Sequence, residues 1–146
     1  MPEQETIKRA EEDAREGKSP STLAGEFVRE EIHHVREGKH GARSPQQAIA
    51  IGLSKARRAG VKLPPPKGSA SVRRKAEQDE EAATHKGRKP SRTRSRATEN
   101  ALKRESGSSA NKTALSRQAK RSSASRGKSA RSKAALKAAR ARKARP

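Results

Sequence analysis

The sequence predicts a small all-α protein: a helical hairpin over about residues 20–37 and 45–59, a helical segment before it, and a largely disordered basic C-terminal arm. Three observations predict it. Ten large apolar residues, from Leu23 to Leu63, fall inside 41 residues, while the last 61 residues hold only Leu102, Leu115 and Leu136. Ser19-Pro20 and Ser44-Pro45 each set a hydroxyl acceptor before a proline, which marks a helix start. Charge is distributed just as unevenly: 37 Lys plus Arg against 16 Asp plus Glu leave a net +21 in 146 residues, and +19 of it lies in residues 86–146.

Residues 1–18 form an acidic, helix-favouring segment, MPEQETIKRAEEDAREGK. Its order is the opposite of the basic-then-apolar start of a secretory signal, and its acidity is unlike an organelle transit peptide. No stretch approaches the roughly 18 apolar residues of a membrane span. A cytoplasmic protein with no membrane partner is therefore expected.

Residues 19–66 make the hairpin module. The first helix is expected to stop at Gly38 and the second at Gly60, with Pro64-Pro65-Pro66 barring continuation. Gln47, three residues after Ser44, completes a capping box. At about 100° per residue, Leu23, Ala24, Phe27, Val28, Ile32 and Val35 share one broad side of the first helix. On the second, Ala48, Gly52 and Ala56 recur every four residues, so the two backbones can approach closely. Ile51 points away from that seam. A core this small gains from dimerisation, so a homodimer is among the expected states.

Residues 67–96 read as linker, with a mixed-charge patch from Arg73 to Glu81 and the run Gly87-Arg88-Lys89-Pro90, which is like an interrupted minor-groove hook. Residues 97–146 read as the Lys/Arg/Ala/Ser-rich arm. It repeats Ala-x-x-x-Ala-Leu at Ala97–Leu102 and Ala110–Leu115, broken by Ser106-Gly107-Ser108-Ser109 and Ser125-Arg126-Gly127. Such segments are helix-capable but too short to be stable alone in water.

The run GEFVREEIHHVREGKHGARSPQQAIAIGLSKARRAGVKLPPP, Gly25 to Pro66, resembles an uncharacterised family of short, basic bacterial proteins that are often labelled DNA-binding. The resemblance covers less than a third of the chain and implies a bacterial origin and a compact helical module. The tail is similar, in composition only, to the Lys/Ala-rich arms of linker histones and bacterial histone-like proteins.

Several chemistries find no residues to carry them. There is no cysteine, Trp or Tyr, and Phe27 is the single aromatic, so thiolate sites and base-stacking platforms cannot be built. His33 and His34 are adjacent and point to different sides of the helix, with no i, i+4 histidine pair, so neither metal nor cofactor is expected. The carboxylate pairs Glu30-Glu31 and Glu80-Glu81 read as solvated charge rather than as acid and base. Glu31 alone lies inside the apolar arc, where it should reach a basic partner such as Arg43 or Lys55.

The reading these observations favour is a non-enzymatic, sequence-tolerant DNA-binding protein of nucleoid type that engages duplex DNA mainly through the arm. Its expected nucleic-acid contacts are Lys39, Arg43, Lys55, Arg57, Arg58 and Lys62 on the body. On the linker and arm they are Arg88, Lys89, Arg92, Arg94, Arg96, Lys103, Arg104, Arg117, Lys120, Arg121, Arg126, Lys128, Arg131, Lys133, Lys137, Arg140, Arg142, Lys143 and Arg145. The alternatives are binding to structured RNA or ribosomal particles, and a protein-interaction hairpin whose tail solubilises or anchors it. A helix-turn-helix variant would instead present Gln46, Gln47, Ser54, Arg57 and Arg58 to a groove.

Overall fold

The structure, a computed structural model, describes residues 1–85 and 89–144. Seven α-helices and one 3₁₀ turn make up its regular structure among these residues: α1 (Gln4–Arg15), α2 (Pro20–Arg36), α3 (Pro45–Arg58), α4 (Ala70–Thr84), α5 (Arg92–Lys103), the 3₁₀ turn (Gly107–Ala110), α6 (Lys112–Ser125) and α7 (Gly127–Lys143). They fall into two units, residues 1–111 and 112–146.

In the first unit α2 is the central element, with α1, α3 and the 3₁₀ turn packed on it and α4 packed on α3. Both α2 and α3 begin at a proline in the first turn. At Ser44 the forward half of the capping box forms, the Gln47 N–H donating to Ser44 Oγ at 3.2 Å, while Gln47 Oε1 reaches one residue farther back than the box requires and accepts from the Arg43 N–H at 2.6 Å. The Ser19 hydroxyl caps no backbone N–H and instead shares hydrogen bonds with the Ser21 and Thr22 hydroxyls.

Two small clusters form the core. Ala10, Ala24, Phe27 and Ala56 pack with Ile7, Leu53, Val61 and Leu63; Val35, Ala42, Ala48 and Ala110 pack with Ile32. Ala56 therefore meets the start of α2 and Ala48 its end, so the helices run antiparallel. Gly52 lies between these levels, where a Cβ would come within 2.6 Å of the Val28 Cα, and only glycine lets the backbones approach this closely. Ile51 is half-buried rather than exposed.

The largely disordered basic C-terminal arm is corrected by the structure, which is helical through α5, α6 and α7. Ala, Lys, Arg and Leu stand at the favourable end of the helix scale, so the composition that excludes a core still favours helix. The Ser/Gly breaks become boundaries: Gly107–Ala110 is the 3₁₀ turn, and α6 ends at Ser125 just before α7 begins at Gly127. The first part of the arm also belongs to the first unit. Ala110 is fully buried in the second cluster, and the Gly41 and Ala42 N–H groups donate to Leu102 and Ser106 carbonyls at 2.8 and 3.1 Å. Gly41 leaves no room for a side chain there, because a Cβ would collide with the Glu105 carbonyl. The second unit holds α6 and α7, which pack on each other with no residue buried among those described. Among the described residues no helix is long and apolar enough to cross a membrane.

Candidate nucleic-acid interface

The cations expected to meet nucleic acid divide sharply by surroundings. On the body most are engaged by carboxylates of the chain itself. Lys55 Nζ donates to Glu30 Oε1 at 3.0 Å and makes an ion pair with Glu31 Oε1. Burial acts to lower the Lys55 pKa, but the two carboxylates outweigh it and hold the ammonium above its usual range. Glu30 is the mirror case: burial raises its pKa, while bonds from Thr6, Lys55 and the Glu3 N–H bring it below the usual carboxylate value. Lys39 pairs with Glu3 and Glu37, both at 3.2 Å, and Arg43 lies 3.8 Å from Glu105.

Of the groove-facing set of a helix-turn-helix reader, Gln46 stays exposed, while Ser54, Arg57 and Arg58 are engaged within the chain. Asp79 on α4, 3% exposed, accepts from Ser54 Oγ at 2.5 Å, Arg58 Nε at 2.7 Å and Lys75 Nζ at 2.7 Å. Burial raises its pKa, but these three donors outweigh that and keep it below the ordinary carboxylate range. Arg57 is buried, with Nη2 donating to the Pro64 carbonyl at 3.5 Å and Nε 3.8 Å from Glu80. Of the six body residues, Lys62 is exposed and has no carboxylate within ion-pair distance among the described residues.

The arm is different. Lys89, Arg92, Arg94, Arg96 and Arg104 are exposed, as is Lys103, which pairs with Glu99 one helical turn away at 2.7 Å. Arg88 and Arg145 lie outside the described residues, as does Gly87, so half of the hook-like run falls there. Residues 112–146 contain thirteen Lys and Arg and no Asp or Glu, so nothing in the second unit can neutralise them. On α6 Arg117, Lys120 and Arg121 are exposed, as is Arg126 at the junction. On α7 Lys128, Arg131, Lys133, Lys137, Arg140, Arg142 and Lys143 are all exposed. At 100° per residue the α7 cations cover about two thirds of the circumference, and Ala130, Ala134, Ala138 and Ala141 fill the remainder.

One constellation escaped the sequence reading. His34, on α2, and His40, in the turn after it, flank the buried Glu31, with His34 Nδ1 3.7 Å from Oε1 and His40 Nε2 3.2 Å from Oε2. Its signal in the sequence is the i, i+3 spacing of Glu31 and His34, which places both on one helix face, whereas an i, i+4 histidine pair is absent.

Residues 17–67, about a third of the chain and spanning α2 and α3, match a family of unknown function, DUF6496. No curated protein and no solved structure matches the chain.

Proposed function

We propose that the chain is a non-enzymatic, sequence-tolerant DNA-binding protein, of the nucleoid-associated kind, whose affinity resides in the C-terminal basic helices. The observation that carries this reading is the segregation of charge: five of the six body cations expected to meet DNA, Lys39, Arg43, Lys55, Arg57 and Arg58, stand within ion-pair distance of a carboxylate, whereas the second unit has thirteen cations and no acid. A polycation free of internal partners releases condensed counterions when it meets a phosphate backbone, and this release is the main source of sequence-independent affinity. The α7 helix, about 25 Å long, offers seven cations to a duplex that carries one phosphate per roughly 1.7 Å. Because those cations cover most of its circumference, α7 can engage phosphates on both walls of a groove without presenting one fixed reading face. That geometry suits positioning by backbone contacts, with no base readout.

The test is competition among duplex DNA, duplex RNA and an acidic polypeptide for the full chain at one salt concentration. The expected order puts both duplexes far ahead of the polypeptide, with little change on altering the DNA sequence. A preference for RNA would move the reading to structured RNA. Equal binding of the polypeptide would leave only an unspecific polycation.

A further inference from the structure

We propose that Glu31, His34 and His40 form a binding site for one divalent transition metal ion of the zinc class. Each residue offers one ligand atom, and the three atoms lie within 4.8 Å of one another. Tetrahedral zinc at its usual bond lengths holds its ligand atoms about 3.3 Å apart. His40 Nε2 lies 3.2 Å from Oε2, close to that spacing, while His34 Nδ1 lies 3.7 Å from the other oxygen, Oε1, so turns of the His34 ring and of the carboxylate would close the set on an ion. Two imidazoles and one carboxylate are the donor types such ions take, with a fourth position left to water.

The outer bonds of the two rings set the tautomers that ligation needs. His34 Nε2 donates to Glu3 Oε1 at 2.9 Å, and His40 Nδ1 donates to the Gly41 carbonyl at 2.9 Å. In the neutral rings the inner nitrogens, His34 Nδ1 and His40 Nε2, then present lone pairs toward Glu31. A carboxylate and a backbone carbonyl holding the far side of ligand histidines is the usual outer shell of a zinc site. Glu31 is 1% exposed, and neither of its oxygens receives a well-directed hydrogen bond, although Lys55 makes an ion pair with Oε1. Ligation through Oε2 leaves that pair in place. Four carboxylates, Glu3, Glu30, Glu31 and Glu37, stand with two ammonium groups, Lys39 and Lys55, and with the Arg29 guanidinium that lines the same cleft, so the cluster has negative charge left for a cation. Side chains of His34 and His40 are 13% and 14% exposed, which gives an ion a route in.

Such an ion would tie α2 to the turn that follows it. His40 precedes Gly41 and Ala42, whose N–H groups hold Leu102 and Ser106, so the metal would also steady the seat of the first part of the arm.

The experiment titrates Zn²⁺ and, as a spectroscopic probe, Co²⁺ into the full chain without nucleic acid. The expected result is one ion per chain, a tetrahedral Co²⁺ absorption band, and slowed hydrogen exchange at Gly41 and Ala42. His34→Ala and His40→Ala should each weaken binding at least 100-fold, and Glu3→Ala about 10-fold or more through the outer shell. His33→Ala, on the same helix but outside the cluster, should leave it unchanged. Circular dichroism of each variant establishes that helix content is retained; should a histidine variant unfold, His40→Gln, which keeps the ring's bulk in part and removes the ligand, gives the same reading. Absence of a one-to-one complex, or a complex as tight in His40→Gln as in the parent chain, would overturn the proposal.

Discussion

The first unit and the second use the same side chains for opposite purposes. In residues 1–111 Lys and Arg close the structure: Arg58 and Lys75 converge on Asp79, Lys55 joins α3 to Glu30 and Glu31 on α2, and Arg36 Nε donates to the Ala110 carbonyl at 2.9 Å. Residues 112–146 contain no acid, and their described Lys and Arg side chains are exposed. Net charge alone therefore misplaces function. What matters is which cations keep their charge available after the chain has folded, and those lie mostly beyond residue 85.

The strongest way to break this contrast is to delete residues 112–146. The cut leaves α5 and the 3₁₀ turn in place, so the second core cluster keeps Ala110. If half of the thirteen cations engage phosphates, the slope of log affinity against log salt should fall by about 6 and most of the affinity should go with it. Filter binding or fluorescence anisotropy over a salt series checks it. An unchanged slope would place the interface on the first unit.

Phe27→Ala tests the other side. Phe27 is the only large aromatic and is almost fully buried, so truncation should cost about 3–5 kcal/mol in urea unfolding. Gly52→Ala should cost less. Its Cβ forces the backbones apart, a strain of about 1–3 kcal/mol, set against a helix-propensity gain of at most about 1 kcal/mol. Thermal unfolding should show a lower midpoint for both variants, while salt slopes of binding stay as in the parent chain.

Asp79→Asn sharpens the comparison through pH. A carboxylate held below its ordinary value of about 4 contributes stability that is fully present above that value and is lost as pH falls through the lower folded value. Glu30 acts in the same sense. Acid unfolding of the parent chain should therefore steepen below about pH 4, and Asp79→Asn should be less stable at neutral pH with a shallower acid limb. The smallest expected effects come from a matched pair. Lys137→Ala, in α7, should lower the binding salt slope by about 0.9 and leave stability unchanged. Arg58→Ala should lower stability and alter binding by less than about twofold, because Asp79 already engages that charge.

Local signals were legible wherever neighbouring residues decide the outcome. The Ser44-Pro45 cap, the glycine stops after α2 and α3, and the Ala48-Gly52-Ala56 seam can all be read from spacing, since each depends on backbone geometry within a few residues. Lys55 as a partner of Glu31 was legible for the same reason, an acid inside an apolar arc demanding a base. The arm was not. Low apolar content rules out a core but does not rule out helix, and an Ala-rich, straight-chain composition satisfies the backbone locally.

By itself the sequence determined that the chain would be helical at α2 and α3 and that its uncompensated charge would lie at the C-terminal end, because periodicity, caps and composition are local properties. Only the tertiary structure decided which cations are consumed. Arg57 and Arg58 look like groove readers in one dimension, yet α4 returns across α3 and brings Asp79 and Glu80 to them. Likewise Ala110 becomes core, and His40 reaches Glu31 nine residues away, because α2 stops and the chain turns back on itself. Both outcomes rest on contacts between segments, which helical periodicity within one segment does not encode.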